Sequence, residues 1–156
     1  QNFFGASYYQ SGAKSLVNLT WTEVDGTWTK MATSGASGSD DADPFGKFSS
    51  GRFTPTVSGY YLVTYSLGIA ADLDDGKMLL ATVRRNASET SGHYIGFAKS
   101  YSPATDQDPV ITGSGIIGLD TNDYLSLWAK HNEGSDRNTN TGVTAISFLY
   151  VGTSDL

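Results

Sequence analysis

The sequence predicts an all-β fold, a sandwich of antiparallel sheets, and three observations carry that expectation. Runs rich in Val, Ile, Thr, Tyr and Phe recur between Gly, Asp, Asn and Pro punctuation. No segment sustains the apolar period of 3.6 residues that a helix needs. The 156 residues include 18 Gly, nine Tyr, seven Phe and three Trp, which suits a turn-rich chain with aromatic strands. A chain of this length fits a single domain over residues 1–156, with residues 1–14 read as an arm or a link to an upstream region.

Strands are expected over 3–10, 15–23, 27–32, 59–69, 77–85, 92–100, 110–119, 124–130 and 144–151. Loops are expected over 35–44, 71–76, 103–108 and 132–142. Pro55 sets a bend ahead of the fourth strand, and Gly59 permits positive φ or close backbone packing there. Asp120-Thr121-Asn122-Asp123 reads as a tight Asx-type turn joining two strands as a hairpin. Trp21 and Trp28 flank a turn at 23–26 and are expected to pack across a hairpin.

Alternate residues of a strand share a face. Tyr61, Val63, Tyr65, Leu67 and Ile69 therefore form one face, expected to point into the sandwich with Leu125 and Leu127. The other face of that strand starts with Tyr60 and Leu62 and then turns polar. In the last strand, Ile146, Phe148 and Tyr150 alternate with Ala145, Ser147, Leu149 and Val151, so both faces are largely apolar. A half-solvated antiparallel sheet should alternate apolar and polar. The surplus apolar face needs a cover: a subunit interface, or the chain's own loops and N-terminal segment.

The pattern Phe53-x5-Gly59-x-Tyr61-x-Val63-x-Tyr65 resembles the second half of the signature of the complement component 1q globular-head family, one of the tumour-necrosis-factor-like jelly rolls. Val63 stands where that family usually has Phe. Residues 111–119, the turn at 120–123 and Tyr124-Leu125-Ser126-Leu127-Trp128 are similar to the family's late hairpin. Residues 144–151 take the place of its closing strand, with Ala145-Ile146-Ser147-Phe148 replacing the usual Ser-x-Phe-Ser-Gly-Phe order. The resemblance spans residues 45–152 and is closest in kind to diverged phage or bacterial members. It implies a jelly roll of two antiparallel sheets, with three copies packed about a threefold axis and the inner sheet toward it. Tyr60, Leu62, Trp128, Leu149 and Val151 are the residues assigned to that interface. Trp128 has a second reading, as an aromatic platform for a sugar.

Composition narrows the chemistry. Sixteen acids against ten bases give a net charge of −6, which argues against nucleic acid as a partner. No apolar run approaches ~20 residues, so membrane insertion is not expected. Zero cysteines exclude disulfides and thiolate metal sites, and mildly favour a phage or bacterial origin. The histidines are His93 and His131, in polar, Gly- or Asn-flanked surroundings and outside any His-Glu-x-x-His or Gly-x-Ser-x-Gly motif. The expectation is a protein that is not an enzyme. Asn18-Leu19-Thr20 and Asn86-Ala87-Ser88 have the form of glycosylation sequons and are read as coincidence. Acidic residues crowd two loops, at Asp40, Asp41 and Asp43 and at Asp72, Asp74 and Asp75. No cofactor is expected beyond calcium, whose better site is the second loop.

The resulting expectation is a homotrimeric recognition head, at a virion surface or outside a cell, binding a cell-surface glycan or protein. Its setting would be the tip of a phage fibre or a bacterial surface filament. Binding is assigned to the polar loops, above all to Asn132, Glu133, Asp136, Arg137 and Asn138, which offer donors and acceptors to a hydroxyl-rich ligand. The alternatives are a decoration trimer that clamps a viral capsid through an N-terminal arm with Phe3, Phe4, Tyr8 and Tyr9 as anchors, a polysaccharide hydrolase, and a secreted cytokine- or complement-like ligand.

Overall fold

The computed structural model describes residues 5–31, 46–71, 73–89, 93–102 and 108–153. The described residues form strands and no helix. In chain order these are β1 (Gly5–Gln10), β2 (Ser15–Leu16), β3 (Thr22–Glu23), β4 (Trp28–Lys30), β5 (Gly46–Ser49), β6 (Arg52–Pro55), β7 (Gly59–Gly68), β8 (Met78–Arg85), β9 (Tyr94–Tyr101), β10 (Val110–Leu119), β11 (Leu125–His131), β12 (Arg137–Asn138) and β13 (Ala145–Gly152). One sheet runs β10-β7-β13-β1-β4, a second β5-β6-β11-β8-β9 with β3 also paired to β11, and β12 and β2 form a small two-stranded sheet. Every ladder is antiparallel. The all-β jelly-roll expectation is borne out.

β7 shows why the sheets close on each other. Tyr61, Val63, Tyr65, Leu67 and Ile69 are all at most 5% exposed, so the period-2 apolar face points inward as the sequence predicts. Leu125 and Leu127 of β11 are buried opposite them. Aromatic rings join the two layers. Phe53 of β6 stacks on Phe148 of β13 with centroids 4.2 Å apart and planes 10° apart. Tyr61 meets the Phe53 ring edge-on at 5.4 Å and Tyr150 at 5.3 Å. Phe48 of β5 stacks on Tyr8 of β1 at 4.2 Å and meets Trp28 of β4 edge-on. Gly59 starts β7 where a Cβ would lie 2.5 Å from the Gly152 carbonyl oxygen and 2.7 Å from the Tyr150 ring, so no larger residue fits. At the far end of β7 the Tyr65 hydroxyl donates to the Gly96 carbonyl of β9, and burial pushes its phenol pKa up.

Several expectations are corrected. The segment at 15–23 is two short strands, because Leu19 takes a left-handed φ of 59° and breaks the run. The turn at Asp120–Asp123 does not close a hairpin: β10 pairs with β7, while β11 pairs with β8, β6 and β3, so the turn carries the chain from one sheet to the other. Trp21 and Trp28 do not face each other across a hairpin either, since β3 joins β11 and β4 joins β1. The β5–β6 hairpin was not expected. Its two-residue connection, Ser50-Gly51, has φ of 52° and 76°, the signs a type I′ turn requires. Residues 5–10 are not an arm: β1 lies between β13 and β4, and Tyr8 is buried. Phe3, Phe4 and the loop at 35–44 lie outside the described residues.

The crossing turn is held by side chains. Asp123 Oδ2 accepts the Asp120 N–H at 2.9 Å, and Asp123 Oδ1 accepts from Asn86 Nδ2 at 2.7 Å. Asn86 Oδ1 accepts the Tyr124 N–H, so the amide of the second sequon is occupied on both sides. Partial desolvation raises the Asp123 pKa, but these hydrogen bonds and the nearby Arg85 outweigh it and hold the carboxyl below its ordinary value.

Phe53→Ala should lower unfolding stability by about 3–5 kcal/mol, read from the urea midpoint at unchanged slope. For Asp123, the folded-state pKa is the lower one, so its contribution is present above the unfolded value near ~3.9 and is lost as pH falls through the folded value. Asp123→Asn should therefore unfold more easily than the parent at pH 7, with the gap narrowing on acidification below about pH 4; an equal gap at both pH values would contradict this.

Candidate functional site

The side of the β10-β7-β13-β1-β4 sheet that faces away from the core has two halves. Toward one end, Ile116, Leu62 and Leu149 sit side by side across β10, β7 and β13. Tyr60 adjoins them on β7, 42% exposed, and Ile116 is 58% exposed. Val151, at a bulge between Tyr150 and Gly152, is exposed as well. Toward the other end the same face turns to hydroxyls. Ser114, Thr64, Ser147 and Ser7 form one row across four strands. Ser7 and Ser147 hydroxyls are 2.7 Å apart. An open trough of about 480 Å³ follows this half, with Thr64, Ser66, Thr112, Ser114 and Ser147 among its lining residues.

Tyr60, Leu62, Leu149 and Val151 are thus brought together, and Ile116 completes the group. Ile116 was not singled out in the sequence because it is half of an Ile116-Ile117 pair. One member of such a pair must face out, and Ile117 is the buried one. Trp128 does not join them. It lies on β11 in the other sheet, where its ring covers the Arg84 guanidinium at 4.8 Å and its Nε1 donates to Ser126 Oγ. An outward residue of one sheet cannot share a face with outward residues of the opposing sheet.

The loop after β11 gathers the five residues assigned to ligand binding, but most of them hold the loop itself. His131 is fully buried; its Nδ1 accepts the Glu133 N–H, which places the ring proton on Nε2, 3.0 Å from the Leu16 carbonyl. Asn132 Oδ1 accepts the Met78 N–H at 2.6 Å. Glu133, with its side chain 2% exposed, accepts from the Asp74 N–H and from Arg137 Nη2 at 3.1 Å. Asp136 Oδ1 accepts the Asn18 N–H, and Asn18 Oδ1 accepts the Gly134 N–H. β12 then pairs with β2. Asp136 and Asn138 are the exposed members of the set. The side chains of Asn132, Glu133 and Arg137 are committed to the chain's own groups.

Of the acids considered for calcium, Asp74 and Asp75 are exposed, and Asp72 lies outside the described residues, as do Asp40, Asp41 and Asp43. Among the described residues no group of three or more His, Asp or Glu could hold a metal ion. The loop at 103–108 is described only at Asp108. His93 and His131 stand apart: His93 offers its backbone carbonyl to Arg85 on β8, and both ring nitrogens of His131 meet protein partners within its own loop and at β2. Among the described residues no helix is long and apolar enough to cross a membrane.

No family model and no curated protein matches the sequence. Solved structures do match its fold. The tumour necrosis factor Eiger from S. frugiperda superposes with a TM-score of 0.69 at 16% identity, covering 100% of this chain and 97% of that one. Murine APRIL at pH 5.0 gives 0.68 at 12% identity, covering 96% and 100% of the two chains. Murine APRIL at pH 8.0 gives 0.64 at 12% identity, covering 94% and 98%. The fold is a tumour-necrosis-factor-like jelly roll. The superposition covers the N-terminal strands too, beyond the residue 45–152 span that carries the sequence resemblance. At these identities the likeness fixes the architecture, and ligand contacts must come from this chain's own side chains.

The loop wiring makes its own prediction. Arg137→Ala leaves the Glu133 carboxylate buried without its ion partner and should cost about 3 kcal/mol of unfolding stability. Asn138→Ala, at an exposed position, should stay within about 0.5 kcal/mol. Equal urea midpoints for the two variants would show that the Glu133–Arg137 pair does not hold the loop.

Proposed function

We propose that this chain is a non-enzymatic homotrimeric recognition head that binds a cell-surface glycan or protein. The observation that carries the assembly is the apolar band of Ile116, Leu62 and Leu149 beside Tyr60, in which Ile116 and Tyr60 are exposed and Leu62 and Leu149 half-buried among the described residues. On the solvent side of an antiparallel sheet such a band calls for a partner. The resemblance in the Phe53–Tyr65 pattern supports a threefold axis along this same sheet, and the jelly-roll architecture is compatible with it. The hydroxyl rows beyond the band would meet their copies across the axis, where Ser and Thr can pair as donors and acceptors.

Three linked copies would also strengthen weak single sites by raising effective concentration. Recognition through exposed loop groups such as Asp136 and Asn138 is supported by their place on a loop braced by buried hydrogen bonds. The setting we propose is the tip of a phage fibre or a bacterial surface filament, supported by the sequence's departures from the animal-type closing motif. Calcium at residues 72–75 belongs to the same proposal; it predicts a higher melting temperature with calcium than with chelator, since an ion bound by the native state alone stabilises it.

Sedimentation equilibrium tests the assembly. The parent chain should run at three times its monomer mass at micromolar concentration, and Leu62→Glu or Ile116→Glu should yield a folded monomer. A monomeric parent, or a trimer unchanged by both substitutions, would remove this reading.

A further inference from the structure

The outer face of the other sheet holds a second feature, built by one chain without any partner copy. In β8 the inward residues Leu79, Ala81 and Val83 are buried in the core, yet the outward Thr82 and Arg84 are also nearly inaccessible, at 2% and 4% exposure. Trp21 and Trp128 lie against Arg84. The Arg84 guanidinium lies 4.6 Å from the Trp21 ring centre and 4.8 Å from that of Trp128. Planar guanidinium between indole faces is a favourable cation–π arrangement. Trp21 in turn meets Phe97 of β9 edge-on at 6.4 Å.

The charge in this stack is incompletely partnered. A guanidinium has five N–H donors in a fork that fits a carboxylate bidentately. Among the described residues Arg84 donates one hydrogen bond, from Nη1 to Glu89 Oε1 at 3.0 Å. Its Nε is buried with no acceptor. Glu89 is a weak match for so enclosed a cation, because its own side chain is 71% exposed. An exposed carboxylate stays hydrated and mobile, and contributes little as an ion pair. Next to this edge opens a cleft of about 200 Å³ lined by Trp21, Thr82, Arg84, Glu89, Tyr94 and Phe97. Phe97 is 56% exposed and Tyr94 38%.

We propose that this cleft binds an acidic sugar, a single pyranose ring carrying a carboxylate. The carboxylate would take the place of Glu89 on the Arg84 guanidinium, and the apolar face of the ring would lie against Phe97 and Tyr94. The volume is below the ~300–1,000 Å³ of clefts that hold drug-sized ligands, which limits the occupant to about one ring. The net charge of −6 disfavours a polyanion over the wider surface, so a single acidic residue held at one enclosed cation fits better. This inference rests on and deepens the glycan side of the proposed function, adding a recognition group on a sheet face to those on the loops. It stands without the trimer, so its failure and that of the assembly can be told apart.

The test is saturation-transfer NMR and calorimetry with methyl glucuronoside, methyl glucoside and sodium acetate, run on the parent and on the Leu62→Glu variant. The glucuronoside should bind both chains, and the neutral glucoside should not. Glu89→Gln, an exposed change, should tighten binding several-fold by removing the competing carboxylate. Phe97→Ala, also exposed, should weaken it several-fold. No transfer to the glucuronoside in either the parent or Glu89→Gln would overturn the proposal. So would acetate binding as well as the glucuronoside, which would mark a small-anion site alone, or binding untouched by Phe97→Ala.

Discussion

The contact on which the rest of this fold depends is the stack of Phe53 on Phe148, closed at its edge by Tyr61. Phe53 belongs to one sheet and the other two rings to the opposing sheet, so this cluster sets how the layers face each other. Gly59 is required by the same cluster. It lets the start of β7 approach Gly152 and the Tyr150 ring, and so brings Tyr61 to its place. The spacing from Phe53 through Gly59 to Tyr61 is therefore a packing rule written along the chain: one ring, a bend, a residue without a side chain, and a second ring that returns to the first.

What the sequence made legible follows from which physical signals are local. The inward face of β7 could be read because side-chain direction alternates strictly along a strand, and Tyr61 through Leu67 keep that alternation without a break. The outward apolar band could be read in part for the same reason, through Tyr60, Leu62 and Leu149. Ile116 escaped because two consecutive isoleucines do not say which one points inward. The turn at Asp120–Asp123 announced a reversal but not its destination. A tight turn constrains four residues, whereas the sheet that receives the next strand is decided by Leu125 and Leu127 finding core opposite β7.

The polar sites were less legible, and for a common reason. Glu133 and Arg137 look like free ligand groups in a hydrophilic stretch, yet the structure turns them into a buried brace between the loop and Asp74. Nothing in the local sequence distinguishes an acid that faces water from one that accepts a backbone N–H from a segment 59 residues away. Arg84 is the reverse case. It stands beside Arg85 in the chain, but alternation sends one outward under two indoles and the other to the Gly118 carbonyl at the sandwich edge. Trp21, which reads as an ordinary strand aromatic, supplies the lid. A covering relation of that kind appears only when separate strands are brought together.

The position of β1 has a consequence for how the molecule is made. Its partner on one side is β13, so Gly5 pairs with Leu149 and Ser7 with Ser147, and β13 is also the strand that joins β1 to β7. A growing chain therefore cannot finish its first sheet until β13 has left the ribosome. Until then β1 has no neighbour on that side, and β7 exposes an open edge and an apolar flank. Long-range pairing of this kind makes folding slow and leaves nascent chains open to association with one another.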